Sequence, residues 1–268
     1  MKERRRRDSA TLAGWMIVSL LVATPAQAQW DWATGPALAD QEKKGKQWSV
    51  EIVPYLWVAS LDGEVGIPRV GTIPVSATFN NVKDNLDTGF AGTVDIRFRR
   101  WHLLSDNFWI RLKDDVVPGL PIFTRADIES EFAYGTVGVG YELPLKTSFA
   151  WDVYLAARWW HVNTGVALQA IGPIPPLLGR ASETWADAVV GTRLRYSITD
   201  SWRVAAAADV GAGDSDLTWQ VEAGVTYMFN DHVGLTGAYR FLGVDYSSES
   251  FVYDVMQHGL LVGLNLGF

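Results

Sequence analysis

Apolar side chains alternate with polar or small ones along most of the chain after residue 47, and this period of two predicts β-strands. Between Leu217 and Phe229 every odd position is apolar, whereas the even positions are mostly polar or small. Successive side chains of a strand point to opposite faces of a sheet, so this segment has one apolar face. A helix would instead place Trp219, Glu222 and Thr226 on one stripe, which would not be apolar. The segment is therefore predicted to be a strand.

The same alternation recurs along the chain and predicts ten strands. They are 48–60, 90–99, 101–114, 128–143, 151–160, 186–196, 202–210, 217–229, 233–241 and 256–268. Alternation is weak in 101–114 and 128–143, where a bulge would shift the phase. An extra hairpin within 64–79 is an alternative, so eight or twelve strands remain open. Pro54 falls inside a predicted strand and is expected at a gap or bulge, because it has no N–H to donate.

Connections of alternating length join the predicted strands. Short turns are expected at 99–100, 144–147, 199–200 and 230–231, and longer connections at 61–87, 115–127, 164–182, 211–216 and 246–251. Short turns at one end and longer loops at the other are typical of up-and-down barrels in membranes. The predicted fold class is therefore all-β, a closed antiparallel up-and-down transmembrane β-barrel. The connections 115–127 and 164–182 are rich in apolar residues, and we expect them to fold over the lumen or to rest on the outer leaflet.

The identity of the polar residues decides which face of the barrel meets lipid. A soluble ligand-binding barrel turns its apolar face inward, whereas a membrane barrel turns it outward. The polar positions carry six carboxylates and six arginines, namely Glu51, Asp95, Asp152, Asp187, Asp209, Glu222, Arg97, Arg158, Arg193, Arg195, Arg203 and Arg240. Equal numbers suit an enclosed lumen, where an unpaired charge would be costly and arginine satisfies carboxylates in pairs. The sequence predicts a transmembrane barrel whose lumen is filled by this ion-pair network.

Aromatic residues at strand ends support the same orientation. Trp48, Trp101, Trp151 and Trp202 each begin a predicted strand beside a short turn or the N-terminal segment. Indole and phenol rings favour the level of the lipid headgroups and form girdles around membrane barrels. We therefore expect these residues on the outer face at one end of the barrel.

Residues 1–28 have the three parts of a secretory signal peptide. Lys2 and Arg4–Arg7 form a basic region, Thr11–Ala23 form an apolar region, and Ala26-Gln27-Ala28 supplies the small residues of a cleavage site. The apolar region is too short for a membrane-spanning helix. Residues 29–47 are polar and are predicted to be a flexible periplasmic lead-in, so the barrel comprises 48–268.

Composition narrows the classes of function. Of 268 residues, 48% are hydrophobic, which excludes a disordered chain. The formal charge of −7 gives no basic footprint for nucleic acid. The chain has no Cys, which excludes thiolate metal sites and a Cys nucleophile. No cofactor and no metal site are predicted.

The terminal segment Gly-Leu-Asn-Leu-Gly-Phe, together with the signal peptide and the alternating strands, resembles the Gram-negative outer-membrane β-barrel family. Residues 54–57 and 61–63 are also similar to small, mostly uncharacterised barrels of proteobacteria. The resemblance implies an outer-membrane location with both termini in the periplasm. It also implies that Leu264, Leu266 and Phe268 act as the signal for the barrel-assembly machinery. Outer-membrane lipid and that machinery are thus the expected partners.

Catalytic chemistry finds little support in the sequence. The four histidines are scattered; His102 and His232 are predicted in short turns, and His258 with Asp254 is the one nearby pair of interest. We therefore expect no enzyme, but a structural or interaction role, as in proteins resembling outer-membrane protein A. The alternatives are a narrow pore or transporter for small solutes or hydrophobic molecules and, more distantly, a hydrolase at the barrel rim that would depend on His258.

Overall fold

The computed structural model describes residues 47–67, 71–77, 86–116, 123–144, 149–170, 177–249 and 251–268. The predicted signal peptide and all of the predicted lead-in except residue 47 lie outside this part of the chain. The described residues form eleven strands: β1 (Trp48–Ile67), β2 (Gly71–Ala77), β3 (Leu86–Phe98), β4 (Trp101–Val116), β5 (Phe123–Glu142), β6 (Phe149–Ala170), β7 (Leu177–Ser197), β8 (Trp202–Gly213), β9 (Leu217–Met228), β10 (Val233–Ser247) and β11 (Val252–Gly267).

Ten of these strands form a closed antiparallel barrel, and the prediction of this fold is confirmed. Neighbouring strands pair in chain order from β3 to β11, β1 pairs with β3, and β11 pairs with β1 to close the sheet. Pairing of β1 with β11 closes the sheet, and closure avoids the free edge strands whose unpaired backbone groups are costly in hydrocarbon. No helix that could span a membrane occurs in the described ranges.

The strands on one side are longer than the sequence predicted. β5, β6 and β7 extend into 115–127 and 164–182, which were expected to be loops, and each is 20 to 22 residues long. On β6 the large apolar outward side chains end at Trp159, and His161 and Asn163 follow on the same face. The predicted strands ended where the apolar alternation ended. The backbone hydrogen bonds between strands continue beyond the apolar belt, because these bonds do not require an apolar face.

The outer face is apolar and the inner face is buried. Leu155 and Leu260 are 69% and 57% exposed on the outside, while Asp152 and Arg158, which alternate with such residues, are at most 1% exposed. A water-soluble barrel does not expose a continuous belt of this kind, whereas lipid covers it. The structure therefore has the two faces of a membrane barrel.

Four pairs of aromatic rings encircle one end of the outer face. Each pair joins cross-strand partners at ring distances of 4.4 to 4.9 Å: Trp48 with Phe98, Trp101 with Tyr141, Phe149 with Tyr196, and Trp202 with Tyr227. The short turns and Phe268 lie at this end, which we call the terminal end; the opposite end is called the far end.

One irregularity interrupts the wall beside β1. Its pairing with β11 skips Val53 and Pro54, so Pro54 falls in a gap of that ladder. On its other side, β1 pairs with β3 from Trp48 to Pro54 and with β2 from Leu61 to Ile67. β2 and β3 therefore follow one another along the same edge of β1. The hairpin of β1 and β2 is the extra hairpin that the sequence left open within 64–79.

Candidate functional site in the barrel interior

Seven charged or titratable side chains fill the interior near the terminal end. This terminal cluster consists of Asp95, Arg97, His102, Glu142, Asp152, Arg193 and Arg195. Asp152 is fully buried at its centre: Oδ2 accepts from Arg97 Nη2 at 3.2 Å and from Arg193 Nε at 3.1 Å, and Oδ1 accepts from Arg195 Nη2 at 3.0 Å. Three arginines thus face three carboxylates, so the charges of the cluster balance without solvent.

The other two carboxylates complete the terminal cluster. Arg193 Nη2 donates to Asp95 Oδ2 at 2.8 Å, and Arg195 Nη2 donates to Glu142 Oε2 at 2.9 Å. Arg97 lies between the two, with Nε 3.1 Å from Asp95 Oδ1 and Nη1 3.7 Å from Glu142 Oε2. Each guanidinium therefore binds at least two carboxylates. These contacts link the three strands that carry the carboxylates, which are β3, β5 and β6.

His102 was predicted in a turn, and this prediction is wrong. The residue is the second of β4 and is 2% exposed inside the barrel. Its Nδ1 lies 3.2 Å from both Asp95 Oδ2 and Arg193 Nη2. The ring occupies the space where a side chain on Gly140 of the neighbouring strand would lie, so the absent Cβ of that glycine makes room for it.

A second group of ion pairs occupies the middle of the barrel. This central cluster contains Asp106, Arg158, Asp209, Glu222 and Arg240 together with the hydroxyls of Tyr55, Tyr134 and Tyr154. Arg240 Nε donates to Glu222 Oε2 at 2.6 Å, and its Nη2 lies 3.0 Å from Asp106 Oδ2. Arg158 Nη2 donates to Asp209 Oδ2 at 2.8 Å. The tyrosines add hydrogen bonds: Tyr55 donates to Asp106 and Tyr154 to Asp209, and Arg240 donates to Tyr134.

The structure brings most of the predicted lumen residues into these two clusters, and three lie elsewhere. Glu51 is buried and accepts from Asn265 of the neighbouring strand. Arg203 lies half-buried on the inward parity of β8, near the terminal end. Asp187 departs from its predicted role: it accepts from Trp160 Nε1 at 3.1 Å and from the backbone and hydroxyl of Ser215, rather than pairing with an arginine.

Several interior residues were missed by the sequence analysis. Asp106 and Glu142 lie in β4 and β5, where weak alternation hid the inward phase. The tyrosines of the central cluster were also missed, because strand alternation does not show that a tyrosine hydroxyl binds a buried charge. The sequence does contain a signal for Tyr154. It is two residues from Asp152 on β6, so the two side chains point to the same face.

The far half of the interior is aromatic, so the ion pairs that were predicted to fill the lumen occupy only its other part. This aromatic cluster comprises Trp57, Phe108, Phe132, Trp160, Trp185, Tyr246, Phe251 and Tyr253, all less than 9% exposed. Trp160 stacks on Trp185 with centroids 5.9 Å apart, and Trp185 stacks on Tyr246 at 4.1 Å. Inward aromatic side chains can fill the barrel where it extends beyond the membrane, because packing there resembles an ordinary core.

A small cavity of about 30 Å³ lies between the terminal and central clusters. Its lining includes Asp95, Asp106, Arg158, Arg193 and Asp209. A space of this size holds about two water molecules. The cavity is far too small to be a channel. The two clusters therefore both block the barrel axis, one after the other.

His258 lies on the outer face, and its partner is not Asp254. Its Nε2 is 3.5 Å from Asp62 Oδ2, and its Nδ1 is 2.8 Å from Tyr239 Oη. The hydroxyl of Ser76 donates to the other carboxylate oxygen of Asp62 at 2.8 Å. Asp62 therefore lies between Ser76 and His258. In a hydrolase triad the imidazole lies between the other two residues and takes the proton of the serine, so Ser76 is not placed for that role. Within the described ranges, no group of three or more His, Asp or Glu side chains is arranged to hold a metal ion.

These features define the class of the protein. A closed antiparallel barrel with an apolar outer belt, an aromatic girdle and a polar, filled interior is a transmembrane β-barrel of the outer-membrane type. The prediction of this class from the sequence is confirmed.

Comparison with known proteins gives the following similarities. No protein-family model matches the chain, and no curated protein sequence matches it. Among solved structures, the chain is similar to the outer membrane protease OmpT from Escherichia coli, with a TM-score of 0.45 and 8% identity over 82% of this chain and 97% of OmpT. It is also similar to Ail, the attachment invasion locus protein of Yersinia pestis, with a TM-score of 0.33 and 11% identity over 83% and 99% of the two chains. The toluene transporter TodX of P. putida follows, with a TM-score of 0.33 and 8% identity over 87% and 92%. The names of these three proteins indicate different activities.

Proposed function

We propose that the protein is a non-conducting barrel of the outer membrane with a structural or interaction role. The observation that carries this proposal is the filled interior. The terminal cluster, the central cluster and the aromatic cluster follow one another along the axis, and their large side chains are almost fully buried. A barrel of about ten strands is narrow enough to be filled by its own side chains, whereas diffusion porins use 16 to 18 strands.

The ion pairs make an axial opening unfavourable. Removing one partner from a buried ion pair costs about 3–5 kcal/mol, because the remaining charge loses its compensation. Opening a path past Asp152 would separate it from three arginines, which hold it from two strands, β3 and β7. The interior therefore supports a closed state and provides rigidity for surfaces outside the barrel.

Conductance in planar bilayers tests the proposal. Purified protein is inserted at a concentration at which a 16-stranded porin, used as the positive control, gives steady single-channel steps. We expect no steady steps from this protein. Steady currents of porin size would overturn the proposal and favour the alternative of a pore for small solutes.

The proposal includes no catalytic role. It is supported by the contacts of His258, whose two ring nitrogens face Asp62 and Tyr239 rather than a serine hydroxyl. Hydrolysis of lipid or peptide by the purified protein that is lost in His258→Ala would instead favour the rim hydrolase.

The proposed setting is the outer membrane with both termini in the periplasm. The terminal end carries the short turns, whereas the far end carries the longer strands, as is usual for the periplasmic and extracellular ends of such barrels. Lipid and the barrel-assembly machinery are the proposed partners. The outward apolar side chains Leu264 and Leu266 of β11, and Phe268 directly after it, support both.

A further inference from the structure

Two buried oxygen atoms without hydrogen-bond donors belong to residues that line the cavity between the terminal and central clusters. Asp209 on β8 and Gln220 on β9 are direct cross-strand partners, and both line this cavity. Each residue is less than 9% exposed, yet Asp209 Oδ1 and Gln220 Oε1 have no donor among the described residues. Buried polar atoms in folded proteins nearly always have a partner, so these two oxygens indicate a ligand between them.

The donors that bind Asp209 all reach its other carboxylate oxygen. Arg158 Nη2 donates to Asp209 Oδ2 at 2.8 Å, and Tyr154 Oη donates to the same atom at 3.0 Å. The remaining two nitrogens of the Arg158 guanidinium donate to the hydroxyls of Thr136 and Thr218. The lone pairs of Asp209 Oδ1 are therefore available to a ligand in the cavity.

The central cluster also has more negative than positive charge. It contains three carboxylates and only two guanidiniums, whereas the terminal cluster has three of each. Arg193 lines the cavity as well, but it binds Asp95 and Asp152 of the terminal cluster. A buried charge without compensation is costly, so one further positive charge is favoured beside the central cluster.

The size and charge of the cavity select a small monovalent ion. Its volume of about 30 Å³ corresponds to about two water molecules, which is room for one small ion and one water. A larger organic cation such as choline does not fit. Sites for Ca²⁺ and Mg²⁺ combine more oxygen ligands or several retained waters, and two guanidiniums at the wall disfavour a second positive charge.

We propose that the cavity is a binding site for one small monovalent cation such as Na⁺, held between Asp209 Oδ1 and Gln220 Oε1. The ion neutralises the central cluster and links β8 to β9 inside the barrel, and water fills the remaining space. This site goes beyond the proposed structural role. It requires no path along the barrel axis, because the ion is enclosed as the barrel folds.

Unfolding in different salts tests the site. The protein is refolded into vesicles of a zwitterionic phospholipid at pH 8, where protonation of histidine contributes little, and is unfolded by urea in NaCl or in choline chloride. Equal salt concentrations keep the screening of surface charges the same. We expect a higher urea midpoint in NaCl. Above the dissociation constant, the unfolding equilibrium constant should fall about ten-fold for each ten-fold rise in NaCl. Equal midpoints in the two salts would overturn the proposal, because water alone would then satisfy the two oxygens.

Gln220→Leu tests the position of the ion. The substitution removes Oε1, keeps a side chain of similar size, and leaves the pair of Arg158 and Asp209 in place. We expect the urea midpoint to become the same in both salts. Gln257→Leu is the matched control, because Gln257 is 1% exposed in the interior but donates to Tyr253 of the aromatic cluster and does not line the cavity. It should keep the wild-type difference between the salts. A Na⁺ dependence that survives Gln220→Leu would contradict the site.

Gln220→Glu provides a second variant in case the leucine variant does not fold. It replaces the amide oxygen with a carboxylate oxygen at the same place and adds a negative charge that only the cation compensates. We expect the difference in urea midpoint between NaCl and choline chloride to exceed that of the unchanged protein. An equal or smaller difference would overturn the assignment of Gln220 as a ligand.

Discussion

At the scale of single residues, the interior depends on charges that strand alternation turns inward. Asp152 stands between Trp151 and Val153, whose side chains face lipid, so its carboxylate has no route to solvent on that side. Because the hydrocarbon surrounds this level of the barrel, a buried carboxylate is tolerated only with charged partners. Three arginines supply them, one from β3 and two from β7. The alternation predicted which residues point inward, but not which of them form pairs.

Asp152→Asn should be strongly destabilising. The substitution removes the carboxylate that three guanidiniums share, and we expect the free energy of unfolding to fall by about 3–5 kcal/mol. Urea unfolding of the refolded barrel in lipid vesicles measures the change. Asp127→Asn is the control, since Asp127 pairs with Arg125 at the exposed far end and should contribute at most about 1 kcal/mol. Equal effects of the two substitutions would contradict the importance of burial.

Gly140→Ala should also destabilise the barrel. A Cβ at this position would overlap the buried ring of His102, which is held between Asp95 and Arg193. Overpacking of this kind costs about 1–3 kcal/mol. Gly237→Ala is the matched control, because a Cβ there meets nothing within 4 Å. The same unfolding assay distinguishes them, and a neutral Gly140→Ala would show that the ring of His102 can move aside.

At the scale of elements, β1 and β11 determine how the barrel closes. β1 is the first strand and pairs along its length with β11, so closure must wait until the last strand has been made. The ten predicted strands correspond to the ten strands of the barrel, and Pro54 lies in a gap, as its missing N–H required. The lengths of β5 to β7 were not predictable from apolar alternation, because their upper parts are paired above the lipid-facing belt.

Phe268→Ala should impair assembly more than stability. Phe268 is 64% exposed on the outside, and its backbone N–H donates to Val50 at the seam with β1. If the C-terminal residues are a recognition signal, the amount of folded barrel in cells should fall while refolding of purified protein is unaffected. Gel migration before and after boiling reports the folded fraction. Phe229→Ala is the control, because Phe229 is 59% exposed at the same end but lies in a turn. Similar losses for both would argue against a terminal signal.

At the scale of the whole molecule, the interior changes character along the axis. Ion pairs fill it near the terminal end, where lipid surrounds the wall, and aromatic rings fill it toward the far end. Because the ion pairs and the aromatic rings both lie inside the barrel, the outer surface is available for contacts with lipid and partners. A small cavity lies between the two clusters of charges.

The orientation of the barrel can be measured with single cysteines. Asp200→Cys lies in an exposed turn at the terminal end, and Glu249→Cys lies in an exposed connection at the far end. With intact cells and a maleimide that does not cross membranes, we expect the label on Glu249→Cys and not on Asp200→Cys. After the outer membrane is made permeable, both should react. Labelling of Asp200→Cys alone on intact cells would reverse the proposed topology.

The sequence by itself determined the strands, their two faces and the class of barrel, because period-two alternation is a local property that each segment carries in its own residues. Only the tertiary structure decided the pairing of charges. Arg158 and Asp187 are direct partners across two strands, yet Arg158 reaches Asp209 and Asp187 accepts from Trp160. It also decided that the far interior is aromatic and that the ladder between β1 and β3 ends at Pro54. These features depend on side chains meeting across the barrel and on strand register, which no local pattern specifies.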